Sequence, residues 1–337
     1  MMLWRKTDAR RTPAPAEAKR VLVIKLDGLA EFTQSLAAAK MIRDYHMGAR
    51  ITLLTTPEFK DLAEKCPYFD TVDPEGKPRE PQQTAQLITR IRAAKYDMIY
   101  DLESSSRTNA YFQGLRPWPP HWSGGAPGAS HHIDADSMHP LDRFAVQMQT
   151  AGMNISDAPL PDLSWVRAAL RDPPRLQPDY FGIRGRYVLL LPRGSDVAPA
   201  RRWAPDKYVQ LATRIASNGV TPVVLGGPEE REIGAAIVAG EKRTKNLVTR
   251  PDIFQCAALA ERASFAVGDD VDLLHVAAAA GAPCLVLLSA RNDAERTAPR
   301  GRGGVVALTA AVVADLPVDQ VDRQIKNCGV YARAATA

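Results

Sequence analysis

Three stretches of the chain gather residues able to handle protons or charge. In the first, Asp27-Gly28-Leu29-Ala30-Glu31 directly follows the apolar run VLVIKL at 21–26. A carboxylate there stands at a strand's carboxyl end beside a helix N-terminus, where Glu31 could serve as a general base. The same placement suits a helix cap supplied by Asp27 or Glu31, and from spacing alone the cap is the simpler reading. The second stretch, PRGSDVAPARRWAPDKY at 192–208, sets Arg193, Ser195, Arg201 and Arg202 in a loop after a strand. Guanidinium and backbone N–H groups in such a loop suit a phosphate, although Arg201 and Arg202 fit a solvated surface pair equally well. Trp203 is expected to pack rather than to stack on a base. In the third, Asp269, Asp270 and Asp272 cluster where a strand gives way to a helix, and His275 shares a helix face with Asp272. A histidine contacting an acidic helix start is the plain alternative, but three acids are a costly way to open a helix.

A fourth cluster, HHIDADSMH, holds His131, His132, Asp134, Asp136 and His139. Metal ligands need an element to fix their spacing, and this segment reads as loop, so no metal site is assigned. The chain lacks the G-x-G-x-x-G fingerprint, a P-loop and a G-x-S-x-G nucleophile elbow.

The elements that must position these groups read as strands at 21–26, 50–55, 69–72 and 96–102, alternating with helices at 35–46 and 84–94. Continuous apolar strands between helices point to a doubly wound parallel sheet. Residues 116–140 read as irregular, and a helix at 141–151 closes the first half. After 156–186, rich in Pro and Gly, the pattern restarts. Strands at 187–192, 221–227, 264–269 and 283–289 alternate with helices at 205–217, 228–239 and 271–280. The strand at 221–227 ends in Gly226 and Gly227. The expected organisation is an arm (1–19), an N-terminal domain (20–155), a linker (156–186), a C-terminal domain (187–327) and a tail (328–337). The last helix, 318–326, is expected to pack back on the N-terminal domain. Ligands in such sheets bind beyond the carboxyl ends of the strands, so chemistry belongs in a cleft between the two halves.

A net charge of +5 over 337 residues could suggest a nucleic-acid partner, but residues 1–20 carry six bases against two acids. The body is therefore nearly neutral, and no nucleic-acid partner is expected. The arm reads as a solvated, disordered tail, with a tether to anionic lipid headgroups as the other reading. No window holds the ~20 apolar residues of a membrane span. Cys66, Cys256, Cys284 and Cys328 form no metal or redox spacing, which suggests a reduced, cytoplasmic protein, peripheral at most to the inner face of the cytoplasmic membrane.

Taken in order, these segments resemble glycosyltransferase family 9, the ADP-heptose:lipopolysaccharide heptosyltransferases, over about residues 20–326. The resemblance lies in VLVIKLDGLAEFTQSLAAAKMIRDYHMGARITLLTTPEF, RRWAPDKYVQLATRI, VVLGGPEERE and GDDVDLLHVAAAAGAPCLVLL. It implies an α/β GT-B fold of two Rossmann-like domains facing across a cleft, and metal-independent transfer with inversion. The family's catalytic carboxylate falls on Glu31, its phosphate-side base on Arg201, and its donor-side Asp and His on Asp270 and His275. Arg193, Ser195, Arg202, Gly226, Gly227 and Asp272 complete the expected donor site, and Asp27 and Arg107 are candidates for the acceptor. The implied partners are a nucleotide-sugar donor, ADP-heptose or a relative, and a lipopolysaccharide-type or other cell-envelope glycan; no further cofactor is implied. Three positions depart from the family pattern: Ala30 replaces a glycine, Glu31 is a methylene longer than the usual aspartate, and Val271-Asp272 replaces Ser/Thr-Gly. The alternative from another class is a non-catalytic binding or scaffold protein that keeps the fold.

Overall fold

A computed structural model describes residues 15–134, 138–194, 196–290 and 294–332. Most of the arm, Asp136 and Ser195 therefore lie outside the described residues. The chain forms two six-stranded parallel sheets. The first uses β1 (Arg20–Ile24), β2 (Arg50–Leu54), β3 (Thr71–Asp73), β4 (Met98–Asp101), β5 (His121–Gly124) and β6 (His131–His132), in the order β3-β2-β1-β4-β5-β6. The second uses β7 (Tyr187–Leu191), β8 (Thr221–Val224), β9 (Lys245–Asn246), β10 (Phe265–Gly268), β11 (Cys284–Ser289) and β12 (Val305–Ala310), in the order β12-β11-β10-β7-β8-β9. Read from β9, the second order repeats the first, so both halves are doubly wound with the same connectivity. Every residue of β4 and β7 is buried, as expected of central parallel strands whose two faces are both covered.

Helices α1 (Leu29–Tyr45), α2 (Lys60–Lys65) and α5 (Pro140–Thr150) cover one face of the first sheet, and α3 (Pro81–Ala94) and α4 (Ser106–Leu115) cover the other. In the second half α9 (Ile253–Arg262) and α10 (Val271–Ala280) lie on the side of the first half. Helices α7 (Pro205–Ser217), α8 (Arg231–Gly240) and the last helix, α11 (Val318–Asn327), take the opposite side. One apolar cluster runs through both halves, from Phe32, Leu36 and Phe144 to Leu274 and Leu259. α6 (Trp165–Ala169) lies between the two halves in the sequence, in the expected linker.

Several expectations are revised. α1 begins six residues earlier than the periodicity suggests, because Gly28 at φ 69° supplies the turn out of β1. The irregular stretch contains β5 and β6, too short to show alternation. The linker is folded onto the second half: the Leu163 N–H donates to the Ala279 carbonyl at 2.9 Å, and Arg262 clasps Asp172 at 2.8 Å. The last helix does not return to the first half. Its Val321 and Ile325 pack in the second core, and Arg214 of α7 reaches Asp319 at 2.6 Å.

Candidate functional site

In a doubly wound sheet the ligand crevice opens where winding reverses, here between β1 and β4 and between β7 and β10. At the second point the strand ends approach closely. A Cβ on Gly268 would lie 1.9 Å from the Leu191 carbonyl oxygen, so only glycine fits. That carbonyl accepts the N–H groups of Asp269 and Asp270 at 3.2 and 3.1 Å. Asp269 turns inward and is 3% exposed. It accepts the Arg193 N–H at 3.0 Å, the Trp203 N–H at 2.7 Å and the Tyr208 hydroxyl at 2.6 Å. One buried carboxylate thus pins both ends of the loop from Arg193 to Trp203. Burial raises its pKa against the pull of those three donors. Trp203 is fully buried and donates Nε1 to the Leu316 carbonyl at 2.9 Å, so it packs, as expected.

Asp270 caps α10, its Oδ1 accepting the N–H groups of Asp272 and Leu273 at 3.1 and 3.3 Å. Burial pushes its carboxyl up to about 7 despite the Leu273 N–H, and the charges of Asp272 and Glu230 add to the shift. Beside it opens a cavity of 580 Å³ lined by Arg193, Asp196, Val197, Gly226, Gly227, Glu230, Pro251, Ile253, Cys256, Asp270, Asp272 and Leu273, with Leu29 contributed by the first half. The pattern-derived Arg193, Gly226, Gly227, Asp270 and Asp272 therefore meet on one wall. Cys256 is inert there, its thiol pushed up to about 12 by burial.

The sequence reading missed Glu230. It accepts the Gly227 N–H at 2.6 Å and occupies the space left by two glycines. A Cβ on Gly226 would fall 2.5 Å from Glu230 Cβ, and one on Gly194 2.4 Å from its Oε1. Burial raises its pKa too. The available signal was the spacing of Gly194 and Gly226-Gly227 against the Glu229-Glu230 pair. With Glu230 counted, the lining residues oppose four carboxylates (Asp196, Glu230, Asp270, Asp272) to one guanidinium, Arg193.

Other residues singled out by pattern lie elsewhere. Arg201 is exposed on the Pro199–Arg201 turn and is absent from the cavity wall. Arg202 donates to the Gly194 carbonyl at 3.2 Å, bracing the donor-side loop. His275 is buried against the first half rather than in the cavity. It hydrogen-bonds the backbone of Thr297 and lies near His139, and burial drives it down to about 4. His139 caps α5, accepting the Leu141 N–H at Nδ1, and its Nε2 meets the Ala298 carbonyl at 3.1 Å. Arg300 forks onto Asp142 at 2.7 and 3.0 Å beside it. Of the histidine-rich cluster, His131 and His132 instead address the carbonyls of Thr150 and Ala126. Among the described residues no group of three metal-ligating side chains forms.

On the first half's side, Lys25 and Glu103 form a buried pair at 2.6 Å where β1 and β4 end, and Glu103 also accepts the Leu26 N–H. Asp27 is exposed and paired with Lys77, whose hydrogen bond holds it below the usual carboxylate range. Arg107 donates to the Pro78 carbonyl at 2.9 Å. Glu31 is exposed on the first turn of α1, which packs on α10, and its carboxylate folds over Gly28. No ion pair holds it among the described residues. Glu31 is not among the residues that line the cavity, to which α1 contributes Leu29.

In curated sequences the chain is 30% identical over 99 residues to lipopolysaccharide heptosyltransferase 2 of Salmonella typhimurium, spanning 28% of this chain and 28% of that one. Among solved structures it resembles a family 9 glycosyl transferase from Veillonella parvula at a TM-score of 0.78 and 16% identity, covering 94% and 99% of the two chains. It also resembles an E. coli heptosyltransferase solved with ADP, at a TM-score of 0.72 and 17% identity, covering 92% and 99%. These two likenesses show the fold. The model of glycosyltransferase family 9 (heptosyltransferase) matches residues 84–311, about two thirds of the chain, and so the chain belongs to that family.

Proposed function

We propose that the chain is an inverting, metal-independent glycosyltransferase. It moves heptose or a similar sugar from a nucleotide diphosphate, ADP-heptose or a relative, to a lipopolysaccharide-type or other cell-envelope glycan, with no further cofactor. The observation that carries this reading is the cavity between the halves, which unites Arg193, Gly226, Gly227 and Asp270 beside the end of α1 that bears Glu31. The acceptor hydroxyl oxygen bonds to the anomeric carbon from the face opposite the leaving group. Glu31 takes the hydroxyl proton as the bond to the diphosphate oxygen breaks, and the nucleoside diphosphate departs with that electron pair. Arg193 and the backbone of Gly226 and Gly227 stabilise the departing charge. Asp269 acts through the loop it pins. Residues 1–20 give the protein a basic contact for an anionic membrane surface.

Glu31→Gln tests the reading, with turnover measured for ADP-heptose and a heptose-accepting glycan. Loss of a general base costs about 10²–10⁴-fold, with ADP affinity unchanged. Unchanged turnover removes Glu31 from the mechanism. The four-to-one excess of carboxylates is the one observation behind a second reading, a non-catalytic binding or scaffold protein that keeps the fold but has lost the donor motif. Calorimetry with ADP-, UDP- and GDP-sugars separates the two, because a non-catalytic chain of that kind binds none of them.

A further inference from the structure

Among the described residues the two sheets have four edges, and three of them are blunted. β3 is three residues long, follows Asp70 and ends in Asp73; β6 and β9 are two residues each, His131–His132 and Lys245–Asn246. Short, polar or charged strands are how proteins keep a sheet edge from pairing with another chain. β12 is the exception. Its sequence, VVALTA, is six residues long, carries neither charge nor proline, and pairs with β11 throughout. Val306 is 37% exposed, Ala307 and Thr309 are exposed, and Leu308 is buried in the second core.

Hydrogen-bond parity fixes which backbone groups of β12 stand free. The Cys284 N–H donates to the Gly304 carbonyl at 3.0 Å, and the Ala290 N–H donates to the Ala310 carbonyl at 2.6 Å. Along a parallel ladder the residues that turn their N–H and C=O toward one neighbour alternate, so Val306, Leu308 and Ala310 face β11. Val305, Ala307 and Thr309 direct theirs away from the sheet, and no hydrogen bond among the described residues takes up those N–H groups. An apolar strand thus presents a row of free donors and acceptors.

We propose that β12 pairs with β12 of a second copy of this chain, antiparallel about a two-fold axis at Ala307. That register sets Ala307 opposite Ala307, Val305 opposite Thr309, and Val306 opposite Leu308. It uses every free group, because Val305, Ala307 and Thr309 each exchange both backbone bonds with their opposite number. No like charges meet within the strands, and beyond them Arg302, which reaches Asp162 at 2.8 Å, falls opposite Val312. An antiparallel strand at the edge of a parallel sheet is a common arrangement. The contact is isologous and closes at two copies, since the blunted edges offer nothing to propagate it. The inference rests on no part of the transfer chemistry.

The test is sedimentation equilibrium of the full chain over a range of concentrations, and a monomer–dimer equilibrium is expected. Ala307→Pro weakens association about 30-fold, the loss of two hydrogen bonds across the axis. It leaves the monomer folded, because that N–H has no partner within the chain and proline is tolerated on such an edge. Ala307→Lys and Ala307→Glu each bring like charges together on the axis and weaken association in a salt-sensitive way. Mixed in equal amounts, those two variants regain a dimer, which a misfolded strand would not do. Circular dichroism checks that each variant folds. A chain that stays monomeric at every soluble concentration overturns the proposal, even if it captures an extended peptide from another protein. So does a dimer whose affinity all three substitutions leave unchanged, or a mixture of the Ala307→Lys and Ala307→Glu variants that stays monomeric.

Discussion

Asp270 offers the sharpest test of the site's electrostatics. Its carboxyl titrates at about 7 in the fold, against 3.8 for the free side chain. The folded state therefore holds a proton that the unfolded state releases. Stability from this group is fully present below pH 4 and is lost as pH rises toward 7, with no further loss above that. The loss amounts to about 4 kcal/mol above pH 7, and to about 2 kcal/mol at pH 5. Asp270→Asn keeps an oxygen for the Asp272 and Leu273 N–H groups and removes the ionisation. The variant should thus gain stability over the parent as pH rises, with a difference between pH 8 and pH 5 of about 3 kcal/mol. Urea unfolding of both proteins at each pH measures it. Buried His275 and His139 lose stability in the opposite direction, as pH falls, but they are common to both proteins and cancel. An equal stability difference at pH 5 and pH 8 would refute the claim that the half-buried Asp270 ionises reluctantly.

Other outcomes follow from the same geometry. Asp272 is exposed beside the cavity without an ion-pair partner among the described residues, so Asp272→Gly should tighten ADP binding roughly tenfold in calorimetry at low salt, as expected for removing one like charge near a diphosphate. Arg201→Ala should leave ADP affinity unchanged, since Arg201 lies off the cavity wall, whereas Arg202→Ala should raise the donor KM by freeing the loop at Gly194. ADP affinity should fall as pH rises from 6 to 8, while Asp270→Asn should flatten that dependence. Lys25→Met strands Glu103 in a buried site and should cost about 3–5 kcal/mol in urea unfolding, with Lys25→Met/Glu103→Leu recovering most of it.

The sequence by itself determined the two α/β halves, because strand and helix periods are local and each apolar run such as YVLLL must be covered on both faces. It also located the cavity's main pieces, since Arg193, Gly226-Gly227 and Asp270 all sit where a strand ends, and the fold class dictates that such ends face a ligand. Short elements escaped: periodicity assigns no element to 253–262 or 305–310, where α9 and β12 lie, and four-residue β5 is too brief to alternate. What only the tertiary structure decided is the use made of each polar side chain. Asp269 and Trp203 are 66 positions apart, and Asp269 becomes a loop anchor only when β10 lies against β7. His275 shares a helix face with Asp272 in the sequence, yet α10's packing against the first half takes it away from the cavity. Arg201 and Arg202 read alike, but one carbonyl, that of Gly194, separates a solvated side chain from a bracing one. Burial and pairing are properties of distant neighbours brought together, and a local pattern does not contain them.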